Sequence, residues 1–161
     1  MATGRKAPVN DLQSSFYPPS AFYFTVGFPK TASEDSSFQD VTGIGSEMDT
    51  EDVVEGGENR YVHRLPKGVK HPKLVLKRGI AKMDSPLVDW CRSVLESGLA
   101  ESITPKEMTV YLLDENQDPI RSWSFANVYP VNWQVENFNS TKNEVAIESI
   151  ELSYTTSARL T

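Results

Sequence analysis

The sequence predicts a mainly β fold: a small β-barrel or two-sheet sandwich with one α-helix and an extended hairpin. Three observations lead there. Eight or nine short runs have strand character, most with apolar residues at every second position. Clusters of Gly, Pro, Asn and Asp separate them at intervals of about 8 to 12 residues, the rhythm of a sandwich or barrel. Only the stretch at about residues 86–97 combines helical apolar spacing with helix end signals.

Residues 1–20 are polar and end in Tyr17-Pro18-Pro19-Ser20, which reads as an extended N-terminal arm because the prolines withhold backbone donors. Residues 21–155 form the expected single domain, and 156–161 a short C-terminal tail. The first strand spans residues 21–28, with Phe22, Phe24, Val26 and Phe28 on one face, and Pro29 ends it. A weaker strand follows at 38–44, closed by Gly43 and Gly45. Residues 47–55 alternate mostly polar side chains, Gly56-Gly57 supplies the positive φ angles of a tight turn, and 59–65 return with Tyr61, Val62 and Leu65. Pro66 and Pro72 are expected to break the chain before a strand at 73–78 carrying Leu74 and Leu76.

The helix has Ser85 as N-cap, Pro86 at the first position, Asp89 facing the positive end of the dipole and Gly98 past the last turn. Leu87, Cys91, Val94 and Leu95 make its apolar stripe, with Trp90 on the flank. Strands resume at 108–113, 120–128 and, after Pro130, 131–135. In the last strand, 143–154, Val145 and Ile147 share one parity while Ile150, Leu152 and Tyr154 share the other. Such a shift means either a bulge or burial on both faces over its first half.

Composition sets limits on function. Apolar and charged fractions of 39% and 24% are ordinary for a soluble globular chain. A net charge of -6 argues against non-specific nucleic-acid binding, which draws on Lys and Arg displacing counterions. No apolar run is long enough to span a bilayer, and no apolar segment follows the charged N-terminus to make a secretory signal. Asn139-Ser140-Thr141 is then a chance sequon. A single cysteine, Cys91, forms no internal disulfide and suits folding in a reducing cytoplasm.

Charge is sharply segregated in residues 31–82. Nine acids (Glu34, Asp35, Asp40, Glu47, Asp49, Glu51, Asp52, Glu55, Glu58) precede Arg60 without one Lys or Arg between them. Eight bases (Arg60, Arg64, Lys67, Lys70, Lys73, Lys77, Arg78, Lys82) then follow without an acid. Pairing of the limbs within one molecule makes a salt-laced hairpin, and pairing between copies makes an assembly device; the sequence leaves both open.

Catalytic patterns are missing. His63 and His71 lie eight apart with no cysteine or clustered carboxylate at ligand spacing, so no zinc site is expected. Gly43-Ile44-Gly45 starts a dinucleotide fingerprint, but Met48 stands at the third glycine and no long helix follows. Asp49, Glu51 and Asp52 lie on an alternating strand without the glycine-centred loop of a calcium site. Cys91 sits in an apolar stripe, where a small buried hydrophobe is the plain reading. No enzyme, cofactor or metal is predicted, although the abundance of acids leaves a glycosidase-type carboxylate pair formally open.

An ordered set of motifs adds a resemblance. Val41-Thr42-Gly43-Ile44, Glu55-Gly56-Gly57-Glu58-Asn59, Leu65-Pro66, Leu76-Lys77-Arg78-Gly79, Trp90, Trp123, Phe125, Asn127 with Tyr129-Pro130, and Asn143-Glu144-Val145-Ala146-Ile147-Glu148 follow in order over roughly residues 21–154. The set resembles the inner tube protein family of phage tails and contractile injection systems. The resemblance implies a structural protein that self-assembles into homo-hexameric rings, stacked into a tube inside a sheath, with spike, hub and baseplate proteins as further partners. It also implies assembly in the bacterial or host cytoplasm before incorporation into the particle, with no membrane insertion by the subunit and no sequence-specific nucleic-acid binding. The glutamate-rich limb running into Arg60, the Asp89-Trp90-Cys91-Arg92 helix and the ending Leu152-Ser153-Tyr154 look more like the tube initiator, the layer between spike and tube, than the repeating tube subunit. A stand-alone β-barrel binding module is the alternative of another class. On the tube reading the expected intersubunit residues are Glu47, Asp49, Glu51, Asp52, Glu55, Gly56, Gly57, Glu58, Arg60, Arg64, Lys77 and Arg78.

Overall fold

The computed structural model describes residues 23–29, 33–54, 56–57, 62–80, 85–98, 100, 102–136 and 146–160. In chain order the elements are β1 (Tyr23–Phe28), β2 (Ser33–Phe38), β3 (Asp40–Thr42), β4 (Glu47–Val53), β5 (His63–Lys70), β6 (Leu74–Gly79), α1 (Pro86–Glu96), β7 (Lys106–Leu113), β8 (Pro119–Val135), β9 (Ile147–Ser153) and β10 (Thr156–Arg159). Among the described residues the fold is mainly β with one helix and a projecting hairpin, as expected from the strand periodicity. The main sheet runs β2-β1-β7-β8-β9-β6-β3, with β10 also on β8, and β4-β5 form a separate pair. Every pairing is antiparallel.

The sheet curls strongly. β2 and β3 stand at its two ends, yet only Gln39 separates them in sequence, and its backbone N–H donates to the Lys77 carbonyl at 2.9 Å. The covalent chain therefore bridges the two edges, although no β2–β3 ladder closes a barrel among the described residues.

β8 is the spine of the body. Its residues 123–126 lie between β7 and β10, and 129–135 pair with β9. Two strands were expected here because Pro130 punctuates the sequence. The chain instead continues through a slipped register at Pro130/Asn132 that leaves Val131 without a partner, and Asn127 takes a positive φ of 54°. A bulge accepts a proline because one ladder position is already given up. The same device lets Pro66 stand inside β5, beside the slip opposite Asp49/Thr50 that leaves Lys67 extra. Residues 156–159, read from the sequence as a tail, form β10.

Burial follows periodicity best in β6, where Leu74, Leu76 and Arg78 point inward and their neighbours do not. In β9 the phase change reflects burial on both faces: Glu148, Ser149 and Ile150 are consecutively buried. α1 is capped as predicted, Ser85 Oγ accepting from Val88 N–H at 3.3 Å, and Gly98 adopts φ 58° beyond its end. Its buried face is Leu87, Trp90 and Cys91, with Val94 partly buried and Leu95 exposed. The stripe is thus rotated toward Trp90, a large ring that meets Phe28 edge-on at 5.7 Å and draws the helix around.

Candidate functional site

The β4–β5 hairpin leaves the body almost entirely. β4 alone extends roughly 24 Å at about 3.4 Å per residue, and the two strands pack on each other and on no other element to a comparable extent. All of β5 and six of the seven residues of β4 are exposed. The sequence made this possible by placing polar residues where a buried strand would need apolar ones.

The two charge limbs meet within the hairpin. Asp52 lies directly opposite Arg64, which it pairs at 3.4 Å. Asp49 pairs with Lys70 on the diagonal, and this hydrogen-bonded charge holds the Lys70 ammonium above its ordinary range. Glu51 reaches the bulged Lys67 at 3.9 Å. Directly opposed residues share a face, so Met48 and Val69 form an apolar pair on one side while Leu65 and Val53 lie on the other. Met48, Val54, Leu65 and Val69 are each more than half exposed. The turn holds Gly56 and Gly57, the latter at φ 115°. Glu55, Glu58 and Arg60 lie outside the described residues.

The root of the hairpin is fixed by groups that sequence reasoning passed over. The Tyr154 hydroxyl is shared between the carbonyls of Gly43 (2.9 Å) and Gly45 (3.1 Å). His71 Nδ1 lies 3.1 Å from the Gly45 carbonyl, so that nitrogen carries the proton, and its ring leans on Tyr154 at 5.2 Å. Tyr154 in turn meets Phe125 of β8 edge-on at 4.9 Å, which links root to core. Gly43 is required twice over: its φ is 87°, and a Cβ would lie 1.8 Å from the Lys73 carbonyl oxygen. Next to this root Lys73 pairs with Glu151 at 3.0 Å, and hydrogen bonds from Lys73 and Asn132 hold the Glu151 carboxyl below its ordinary range.

Two expected intersubunit residues lie in the body instead. Lys77 is half-buried on β6. Arg78 is buried in the core, where it donates from Nε to Glu148 Oε2 at 2.9 Å and from Nη2 to Ser85 Oγ at 2.6 Å, over the Phe38 ring. Trp133 Nε1 completes the hub by donating to Glu148 Oε1 at 2.7 Å. Arg78 therefore joins β6, β9, β8 and the cap of α1 and is enclosed by its own chain. The signal was in the sequence: Arg78 shares the inward parity of Leu74 and Leu76, and Glu148 that of Ile150 and Leu152.

Among the described residues no three His, Cys, Asp or Glu side chains are placed to hold a metal ion, and no helix is long and apolar enough to cross a membrane. What the chain presents is a braced β body and a charged, exposed two-stranded hairpin.

The family model of the T4-like virus tail tube protein gp19 matches residues 20–158, and the chain belongs to that family. It is a tube-type structural protein of phage tails and contractile injection systems. A chain in a cryo-EM structure of the anti-feeding prophage baseplate, 6-fold symmetrised, is 29% identical with a TM-score of 0.74, over 89% of this chain and 96% of that one. A chain from the PVC sheath-tube complex of an extracellular contractile injection system, in the extended state, is 20% identical with a TM-score of 0.74, over 94% and 98%. A chain from the anti-feeding prophage tube-terminating cap is 19% identical with a TM-score of 0.70, over 98% and 96%. The latter two likenesses speak to fold alone. Comparison with curated proteins gives no match.

Proposed function

We propose that the protein forms hexameric rings of the inner tube of a contractile particle, as the initiator layer between spike or hub and the stacked tube. One observation carries this reading: the likeness to a chain of a 6-fold symmetrised baseplate structure, at 29% identity, exceeds the 20% identity to a sheath–tube chain of equal TM-score. The repeating tube subunit is the second reading, supported by that equal structural similarity. On either reading the protein's work is mechanical: it encloses a passage, meets sheath and baseplate proteins, and is built in the cytoplasm before joining the particle.

The β4–β5 hairpin is the proposed contact with adjacent subunits. Its exposed ion pairs contribute only about 0 to 1 kcal/mol each, so they stiffen and orient it more than they hold a ring together. Adhesion then falls to the apolar side chains on its two faces, Met48 and Val69 against Leu65 and Val53. The exposed charge of Glu47, which lies opposite Lys70, penalises wrong partners and wrong register. Because Arg78 is enclosed by its own chain, it serves the interface only by bracing the body.

Copy number distinguishes the two layers. Quantitative mass spectrometry of purified particles is expected to find one ring of this chain per particle, far below the sheath protein. Abundance equal to the sheath protein would overturn the initiator assignment in favour of the repeating subunit.

A further inference from the structure

A cleft of about 170 Å³ lies between the later turns of α1 and the residues that lead into β7, lined by Trp90, Ser93, Ser97, Ser102, Thr104 and Lys106 among others. Lys106 opens β7, and its ammonium is held by aromatic faces: 4.8 Å from the Trp90 ring centroid and 5.4 Å from that of Phe28. Those rings are braced edge-to-face and the indole is buried, so the cation has a fixed seat. It has no ion pair or hydrogen bond among the described residues, unlike Lys70, Lys73 and Arg78, which each pair with a carboxylate. Ser102 and Thr104 are exposed, and their hydroxyls have no protein partner among the described residues. Ser93 and Ser97 differ, their hydroxyls donating back to the helix carbonyls of Trp90 and Val94. Lys106 and the exposed hydroxyls of Ser102 and Thr104 therefore line one cleft, and none of its described lining residues is an acid.

We propose that this cleft is a carboxylate site, filled by an Asp or Glu side chain of a partner protein, with Lys106 as its anchor. The seated Lys106 ammonium calls for an anion. A single cation on a half-apolar wall of Trp90, Val94 and Ile103 suits a monoanionic carboxylate better than a phosphate group, which recruits clustered Arg or Lys. The volume is below the roughly 300 to 1,000 Å³ of small-molecule sites, so it fits a side chain delivered by a docked protein. Of the described hairpin acids that a second copy could offer, Asp49, Glu51 and Asp52 are paired with their own Lys70, Lys67 and Arg64, and Glu47 lies opposite its own Lys70. A different protein is the better source. The inference rests on the tube-subunit reading only for supplying such a neighbour.

The test is a titration of the ¹⁵N-labelled full chain with a capped Ala-Glu-Leu peptide and its Ala-Gln-Leu counterpart, followed by NMR. The expected result is saturable millimolar shifts at Ser102, Thr104, Lys106 and the Trp90 indole with the Glu peptide, at least tenfold weaker with the Gln peptide. Lys106→Met, which keeps the apolar stem under the rings, should abolish the response. Equal responses to the two peptides, or none, overturn the proposal without depending on how the variant folds. If Lys106→Met fails to form rings that the wild type forms alone, the carboxylate belongs to a second copy and the assignment to a different partner is wrong. Rings without a peptide response sink the cleft and spare the tube reading; a peptide response without rings does the reverse.

Discussion

Replacing Gly43 by alanine tests the root of the hairpin at its tightest point. At φ 87° an L-residue is in the left-handed region, which costs about 1 to 2 kcal/mol. The new Cβ would lie 1.8 Å from the Lys73 carbonyl oxygen and 2.7 Å from its carbon, both backbone atoms of the segment entering β6. Relief requires the 43–45 segment to part from β6, and forced shifts of this kind cost about 1 to 3 kcal/mol. The sum is about 2 to 5 kcal/mol, and at about 2 to 4 °C per kcal/mol for a domain of this size the midpoint falls by about 4 to 20 °C. Two controls separate the terms. Gly57→Ala meets nothing within 4 Å but has φ 115°, so it should show the conformational cost alone, while Gly45→Ala has open space and no positive φ and should stay within about 0.5 kcal/mol of wild type. Thermal unfolding by circular dichroism measures all three. A Gly43→Ala midpoint within a degree or two of Gly45→Ala would refute the close approach and the bracing role drawn from it.

Other perturbations address the body and the hairpin separately. Arg78→Met leaves Glu148 buried without its cation and should cost about 3 to 5 kcal/mol, read by urea denaturation; a loss under 1 kcal/mol would mean the hub is not closed as described. Tyr154→Phe removes the hydroxyl shared by Gly43 and Gly45 and should cost about 1 to 2 kcal/mol, with faster amide exchange around 43–46 and at His71, and unchanged protection in β8 would fit only a local effect. Because the Glu151 carboxyl is held below its ordinary range, its contribution is present above about pH 4.5 and disappears as pH falls through the lowered folded value. The melting gap between wild type and Glu151→Gln should therefore be open at pH 7 and close toward pH 3, and a gap that widens in acid would contradict the sign. Reversing Glu51 and Asp52 to lysine should leave the midpoint of the body nearly unchanged, because their pairs are exposed, yet block ring formation; normal rings would remove the hairpin as an assembly determinant.

Much of the body was legible from periodicity and end signals. β6 alternates Leu74, Leu76 and Arg78 inward, and α1 announces itself with Ser85-Pro86 and Gly98, because in both the local preference agrees with the tertiary setting. β2 was not legible: Ser-Glu-Asp-Ser-Ser-Phe has one apolar side chain, and the strand forms through main-chain pairing with β1. β8 was divided at Pro130 and β5 stopped before Pro66 because a proline reads as a break, while the bulges that absorb it depend on a partner strand. The hairpin's charge asymmetry was plain, but not its pairing. The slip at Asp49/Thr50 decides that Lys70 meets Asp49 and Lys67 meets Glu51, and no periodicity encodes that slip. Tyr154 looked like the end of an apolar stripe; its hydroxyl acts on carbonyls more than a hundred residues earlier, which only the fold brings together.

On the proposed reading this chain closes into rings as a unit of an injection tube. Cryo-EM of the purified protein, alone and mixed with spike or hub proteins, and of the native particle tests it most directly. Closed six-fold rings with the β4–β5 hairpin lodged against neighbouring subunits are expected. A chain that stays monomeric even with those partners, and that is missing from the tube of the particle, would contradict it.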